Sequence, residues 1–132
     1  MLKYIIKYSL YAALSWTVII FILCSTPGAY IPSSFWLELL SFDKLVHMGI
    51  FFTLMMLWQI HFFKTQSYVF YKALLIVLVC VLYGGLLEIM QAQFFSERSA
   101  DWFDFAANTV GCVLGLFFYN NLFRTKKWRR AI

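Results

Sequence analysis

Residues 73–91 hold eleven Leu, Ile and Val residues and one acid, Glu88. A helix that is apolar around its whole circumference suits a bilayer better than the surface of a small soluble domain. Three further apolar stretches, at about 5–24, 43–61 and 104–123, have the length of a membrane span, which needs roughly 20 residues. Composition agrees: 63% of the 132 residues are apolar, 13% are charged, and the mean hydropathy is +0.77. The expected fold is all-α, a single membrane domain over residues 1–132 built as an integral membrane bundle of four transmembrane helices.

Glu88 is the exception inside the third span. Each aliphatic residue contributes about −0.3 to −0.6 kcal/mol to insertion, so the segment gains roughly −3 to −7 kcal/mol against about 2.5–3.5 kcal/mol for one central charge. The helix can therefore insert. Its carboxylate still has to face protein, a partner or a wet cavity rather than lipid.

Between the spans the punctuation is clear. Pro27, Gly28 and Pro32 end the first. Residues 34–40, with Phe35, Trp36, Leu39 and Leu40 around Glu38, read as a short interfacial helix in the first outer loop. Lys3 and Lys7 before an apolar run resemble the start of a signal peptide. No A-x-A site follows and no lipobox surrounds Cys24, so an uncleaved first helix is expected. Cys24, Cys80 and Cys112 lie in apolar segments without CxxC spacing and read as packing residues.

Charge sets the expected orientation. Of the eleven Lys and Arg residues, nine fall on one side of the four-span arrangement: Lys3, Lys7, Lys64, Lys72, Arg124, Lys126, Lys127, Arg129 and Arg130. Only Lys44 and Arg98 fall on the other. Positive residues stay inside, which puts both termini in the cytoplasm of a multi-pass protein of the cell inner membrane. The net charge of +5 is accounted for in this way, and no nucleic-acid motif accompanies it. All six acids, Glu38, Asp43, Glu88, Glu97, Asp101 and Asp104, belong to the outer half.

That half gathers a polar constellation from separate segments. Asp43 and His47 are four apart on the second span, beside Lys44; Glu88 and Gln91 are three apart on the third, one turn from Gly84. On the fourth, Asp101, Asp104 and Asn108 lead into Gly111 and Gly115, a stripe whose lower part is a GxxxG packing step. Arg98, just before it, offers a bidentate partner for a carboxylate or phosphate. The candidate ligand-binding set is therefore Asp43, Lys44, His47, Glu88, Gln91, Arg98, Asp101, Asp104 and Asn108. Structural readings stand beside it. Asp43, and Asp101 or Asp104, are natural helix caps, and Glu88 with Gln91 could be a packing pair. A divalent-ion site from His47, Glu88 and Asp101 or Asp104 lacks HExxH-like spacing, so no metal and no cofactor is assigned.

The ordered run Asp43, Lys44, Leu45, Val46, His47, then Phe51, Gly84, Glu88, Gln91, Arg98, Asp101, Asp104, Asn108, Gly111 and Gly115 resembles the VanZ-like family of small membrane proteins. The Pro27-Gly28 turn is similar as well, and the resemblance covers nearly the whole chain. It implies a multi-helix integral membrane protein related to one that lowers susceptibility to the glycopeptide teicoplanin.

Three functions compete at this point. The first is a modulating protein of the cell envelope whose outer pocket binds a lipid headgroup or a glycopeptide-like molecule, with membrane lipids as partners. The second is an enzyme acting on a lipid-linked substrate, with His47 or Glu88 as general base; no serine or cysteine nucleophile motif supports a covalent route. The third is a structural bundle with a closed polar network. Orientation is tested by alkaline phosphatase fusions: those at Gln66 and after Arg130 should be inactive and one at Glu97 active. The reverse pattern would overturn the assignment.

Overall fold

The computed structural model describes residues 1–25, 42–64, 69–94 and 102–123, excluding the side chains of Leu2, Phe42, Asp43, Phe94 and Phe123. The expected interfacial helix at 34–40, the loop with Arg98, and the basic tail lie outside the described residues. The rest is helical: α1 (Leu2–Lys7), α2 (Ser9–Cys24), α3 (Phe42–Phe63), α4 (Phe70–Phe94) and α5 (Trp102–Phe123). Among the described residues there is no strand.

Three helices are long and apolar enough to cross a membrane, over Lys44–Phe63, Phe70–Gln93 and Trp102–Leu122. The first expected span differs from the uninterrupted helix at 5–24. It is divided at Tyr8, whose ψ of 20° leaves the helical range, and α2 alone has 16 residues. At 1.5 Å per residue α2 reaches about 24 Å, short of the ~30 Å hydrocarbon core. The hydrogen-bond ladder runs through the break, from the Tyr8 amide to Tyr4 O and from the Ala12 amide to Tyr8 O, so α1 extends α2. The apolar helices that could span a membrane thus number three or four.

The most extensive packing is between α3 and α5. They run parallel, as alternate helices of an up-and-down bundle must, and glycine lets them touch. A Cβ built on Gly111 would collide with Met48 O, and one on Gly115 would sit 2.9 Å from Met55 Cβ. The GxxxG step therefore serves packing within the bundle, as its spacing suggests. Phe51, Leu54 and Met55 from α3 meet Cys112, Leu116 and Tyr119 from α5 in one buried cluster, which Leu87 and Cys80 from α4 and Ile20 from α2 complete.

In lipid, hydrophobic burial gives little preference for helix contact over lipid contact, so polar ties carry more of the association. Three of them fasten α2. Trp16 Nε1 donates to Ile50 O at 3.0 Å, Tyr83 Oη to Thr17 O at 2.7 Å, and Gln91 Nε2 to Cys24 O at 3.1 Å. Each comes from an amphipathic side chain or amide within an apolar helix, and each reaches a backbone carbonyl across a helix interface. At the far end Lys64 Nζ donates to the buried Ser9 Oγ at 3.2 Å. The outer surface is apolar: Val79, Leu82 and Leu86 on α4 and Phe117 on α5 are all exposed. Such a surface is matched by acyl chains.

Two glycines, one inside this contact and one outside it, give a stability test. Gly111→Ala forces α3 and α5 apart and should cost about 1–3 kcal/mol or more, read as a lower unfolding midpoint in detergent. Gly49, whose added Cβ meets nothing within 4 Å, should tolerate alanine with a gain of about 0.5–1 kcal/mol from helix propensity. Equal effects at the two sites would show that the α3–α5 approach is not as described.

Candidate functional site

Because α3 and α5 run parallel, their first turns lie at the same end of the bundle and their side chains pair in register. Lys44 Nζ donates to Asp104 Oδ1 at 2.5 Å, and His47 Nδ1 meets Asn108 Oδ1 at 3.1 Å. The sequence separations are 60 and 61 residues, so one helix is laid along the other without slippage. The other Asp104 oxygen, Oδ2, lies 3.6 Å from His47 Nε2. Spacings of three on α3 and four on α5 put each pair of side chains on one face.

Glu88 reaches this pair from α4, which runs antiparallel and so ends where α3 and α5 begin. It lies roughly 9 Å inside the end of its helix at 1.5 Å per residue. Gly84, one turn earlier on the same face, allows the approach: a Cβ there would be 3.1 Å from the Phe51 ring and 3.4 Å from Asn108 Nδ2. Gly85 does the same against the Phe105 ring at 3.2 Å. As a result His47, Glu88 and Asp104 each present one donor atom, and these atoms lie within 4.8 Å of one another.

Burial is graded across the site. The side chains of Lys44, His47 and Asp104 are 27%, 22% and 18% exposed, whereas Glu88 and Asn108 are 6% and 3% exposed. A cation, an anion and an imidazole thus form a half-open rim over a buried carboxylate and amide.

Of the nine residues singled out from sequence, the structure brings Lys44, His47, Glu88, Asp104 and Asn108 together. Gln91 is buried but turns to α2, donating to Cys24 O. Asp104 sits in the first turn of α5 and pairs with Lys44. Asp43 lies one residue inside α3 rather than before it, and its side chain, like Arg98 and Asp101, falls outside the described residues. His61 is at the opposite end of α3, among Trp58 and Phe62, as its aromatic neighbours suggest.

Sequence reasoning passed over one buried polar residue, Gln59. It is fully enclosed between α3 and α5 and donates to Gly115 O at 3.1 Å. A glutamine inside an apolar span, one turn from its end, is the available signal, since an amide in hydrocarbon needs a partner on another helix.

The tautomer of His47 follows from its neighbour. An amide oxygen only accepts, so Nδ1 carries the proton it gives to Asn108, and Nε2 turns toward Asp104 Oδ2. The site can hold an anion at Lys44, accept from hydroxyl or ammonium groups at Asp104 and Glu88, and offer an oriented imidazole.

Comparison with known proteins supports the family resemblance. The chain is 34% identical over 76 residues to "Uncharacterized protein C11E3.10" of Schizosaccharomyces pombe, a match covering 56% of this chain and 44% of that protein. It therefore spans less than half the length of that curated relative. No solved structure matches it significantly. The family model described as VanZ/LLP1 matches residues 4–124, a range that includes all nine site residues and both glycine steps, and the chain belongs to that family.

Proposed function

We propose that the polar end of the bundle faces away from the cytoplasm and binds the polar headgroup of an envelope lipid, so that the protein senses or modulates that lipid. The observation that carries this reading is the graded site: a partly exposed Lys44–Asp104 pair and His47 lying over buried Glu88 and Asn108. Headgroups combine a phosphate with hydroxyls or an amine. Lys44 suits the first, and the carboxylates and Asn108 suit the others.

Depth supports the reading as well. The rim belongs to the first turns of α3 and α5, the level at which headgroups meet the hydrocarbon. Trp102 and Phe103 are exposed beside it, and aromatic residues favour that boundary. A purely structural network would gain little from keeping the Lys44–Asp104 ion pair at the rim, where water weakens it.

A glycopeptide-like ligand would use the same donors and acceptors but would reach them from water. Both are tested by titrating purified protein in detergent with a short-chain anionic phospholipid or with a glycopeptide, following tryptophan fluorescence. Wild-type protein should respond saturably to the lipid. Lys44→Gln and Asp104→Asn should each weaken the response about ten-fold or more, equivalent to about 1.4 kcal/mol. Wild-type behaviour in both variants would end the proposal, and a response to the glycopeptide alone would replace the lipid by that ligand.

A further inference from the structure

We propose that His47, Glu88 and Asp104 form a binding site for a divalent cation of the Mn2+ or Zn2+ class. The proposal rests on reading this end of the bundle as a ligand site, and it names an ion that would bind there with or before the headgroup. Nothing in the spacing of the three residues marks a metal motif, because they come from three different helices.

The donor set and its geometry suit such an ion. One imidazole nitrogen and two carboxylate oxygens converge with all three donor atoms within 4.8 Å. At metal–ligand distances of about 2.0–2.2 Å, neighbouring ligand atoms lie roughly 3–3.5 Å apart, so small side-chain rotations complete the site. The His47 Nε2 to Asp104 Oδ2 separation of 3.6 Å is already close to that edge. One nitrogen with two oxygens is a mixed set that suits Mn2+ or Zn2+ better than the softer, thiolate-seeking ions.

The orientation of the imidazole fits as well. With Nδ1–H given to Asn108 Oδ1, the Nε2 lone pair and Asp104 Oδ2 face each other as two acceptors. Two acceptors turned to one point favour a donor or a cation between them, and a metal ion is one that also draws in Glu88. The bond from Nδ1 to an amide oxygen is also the outer-shell contact by which metal-ligating histidines are held in one tautomer. Asn108 is buried and fixed against Gly84 on α4, so it can hold the ring steady.

The two oxygens of Asp104 have different partners. Its Oδ1 engages Lys44, which leaves Oδ2 for the ion and keeps the carboxylate from rotating away. Partial exposure of His47 and Asp104 gives the ion an entry path, and the Glu88 oxygen supplies the deepest ligand. The remaining coordination positions would face the rim, where a phosphate oxygen of the headgroup could bind. The ion would then join the buried carboxylate to an anionic ligand that it would otherwise repel.

The test uses Mn2+ alone, because it avoids the chain's three cysteines. Full-length protein in detergent is treated with a chelator, titrated with Mn2+ and read by electron paramagnetic resonance for stoichiometry and for nitrogen modulation from an imidazole ligand. One Mn2+ per chain with nitrogen modulation is expected. His47→Gln should remove the modulation, and Glu88→Gln and Asp104→Asn should each weaken binding at least ten-fold. Asn108→Ala should weaken it about 10–100-fold through the loosened ring. Each variant is checked for monodisperse elution. The chain has two histidines, so modulation that survives His61→Gln assigns the ligand to His47 even if a site variant does not fold. No bound Mn2+, binding without nitrogen modulation, or modulation that survives His47→Gln would overturn the site. Lipid binding that persists in chelator while Mn2+ fails to bind rejects the ion and leaves the headgroup reading. Mn2+ binding without lipid affinity supports the ion and rejects the headgroup.

Discussion

The near-contact of two helix backbones at Gly111 and Gly115 is the constraint on which the polar site depends. Met48 O lies so close to Gly111 that no side chain fits between them. This approach holds α3 and α5 parallel and in register. One turn above Gly111 the register sets Asn108 beside His47, and a further turn above it sets Asp104 beside Lys44. A bundle with wider spacing would leave those four side chains reaching across a gap in which lipid or water would separate them.

Once that pair is set, the glycine pair of α4 decides the rest. Gly84 and Gly85 bring α4 against Phe51, Asn108 and Phe105, and the turn after Gly84 delivers Glu88 beneath the rim. A carboxylate at that depth has no tolerable position facing lipid, so the helix that carries it cannot rotate freely. The polar ties from Trp16, Tyr83 and Gln91 to backbone carbonyls work alongside this, locating α2 and α4 against each other and α2 against α3. Site and fold are therefore not separable layers: the anomaly in the oily segment and the packing that accommodates it specify each other.

Much of this was readable from residues, and what was not has physical reasons. The four apolar stretches and the sidedness of the acids point to one polar end, and the spacings put Asp43 with His47 on one face of α3, beside Lys44, and Asp104 with Asn108 on one face of α5. Spacing within a helix says nothing of the register between helices, so the Lys44–Asp104 and His47–Asn108 pairings could not be named in advance. Gln91 shows the limit in another way. Three residues at about 100° each leave it about 60° around the helix from Glu88. That offset is enough for it to face α2. The division at Tyr8 carries no proline or glycine signal, and Gln59 escaped notice because it belongs to no surface cluster.

An experimental structure of the protein in lipid nanodiscs tests the central claim most directly, that the polar end is a site for something other than the protein's own side chains. The account predicts density bounded by Lys44, His47, Glu88 and Asp104, with α3 and α5 in the register of the Lys44–Asp104 and His47–Asn108 pairs. Side chains of His47, Glu88 and Asp104 closed directly on one another, with no density among them or at the rim, would contradict it.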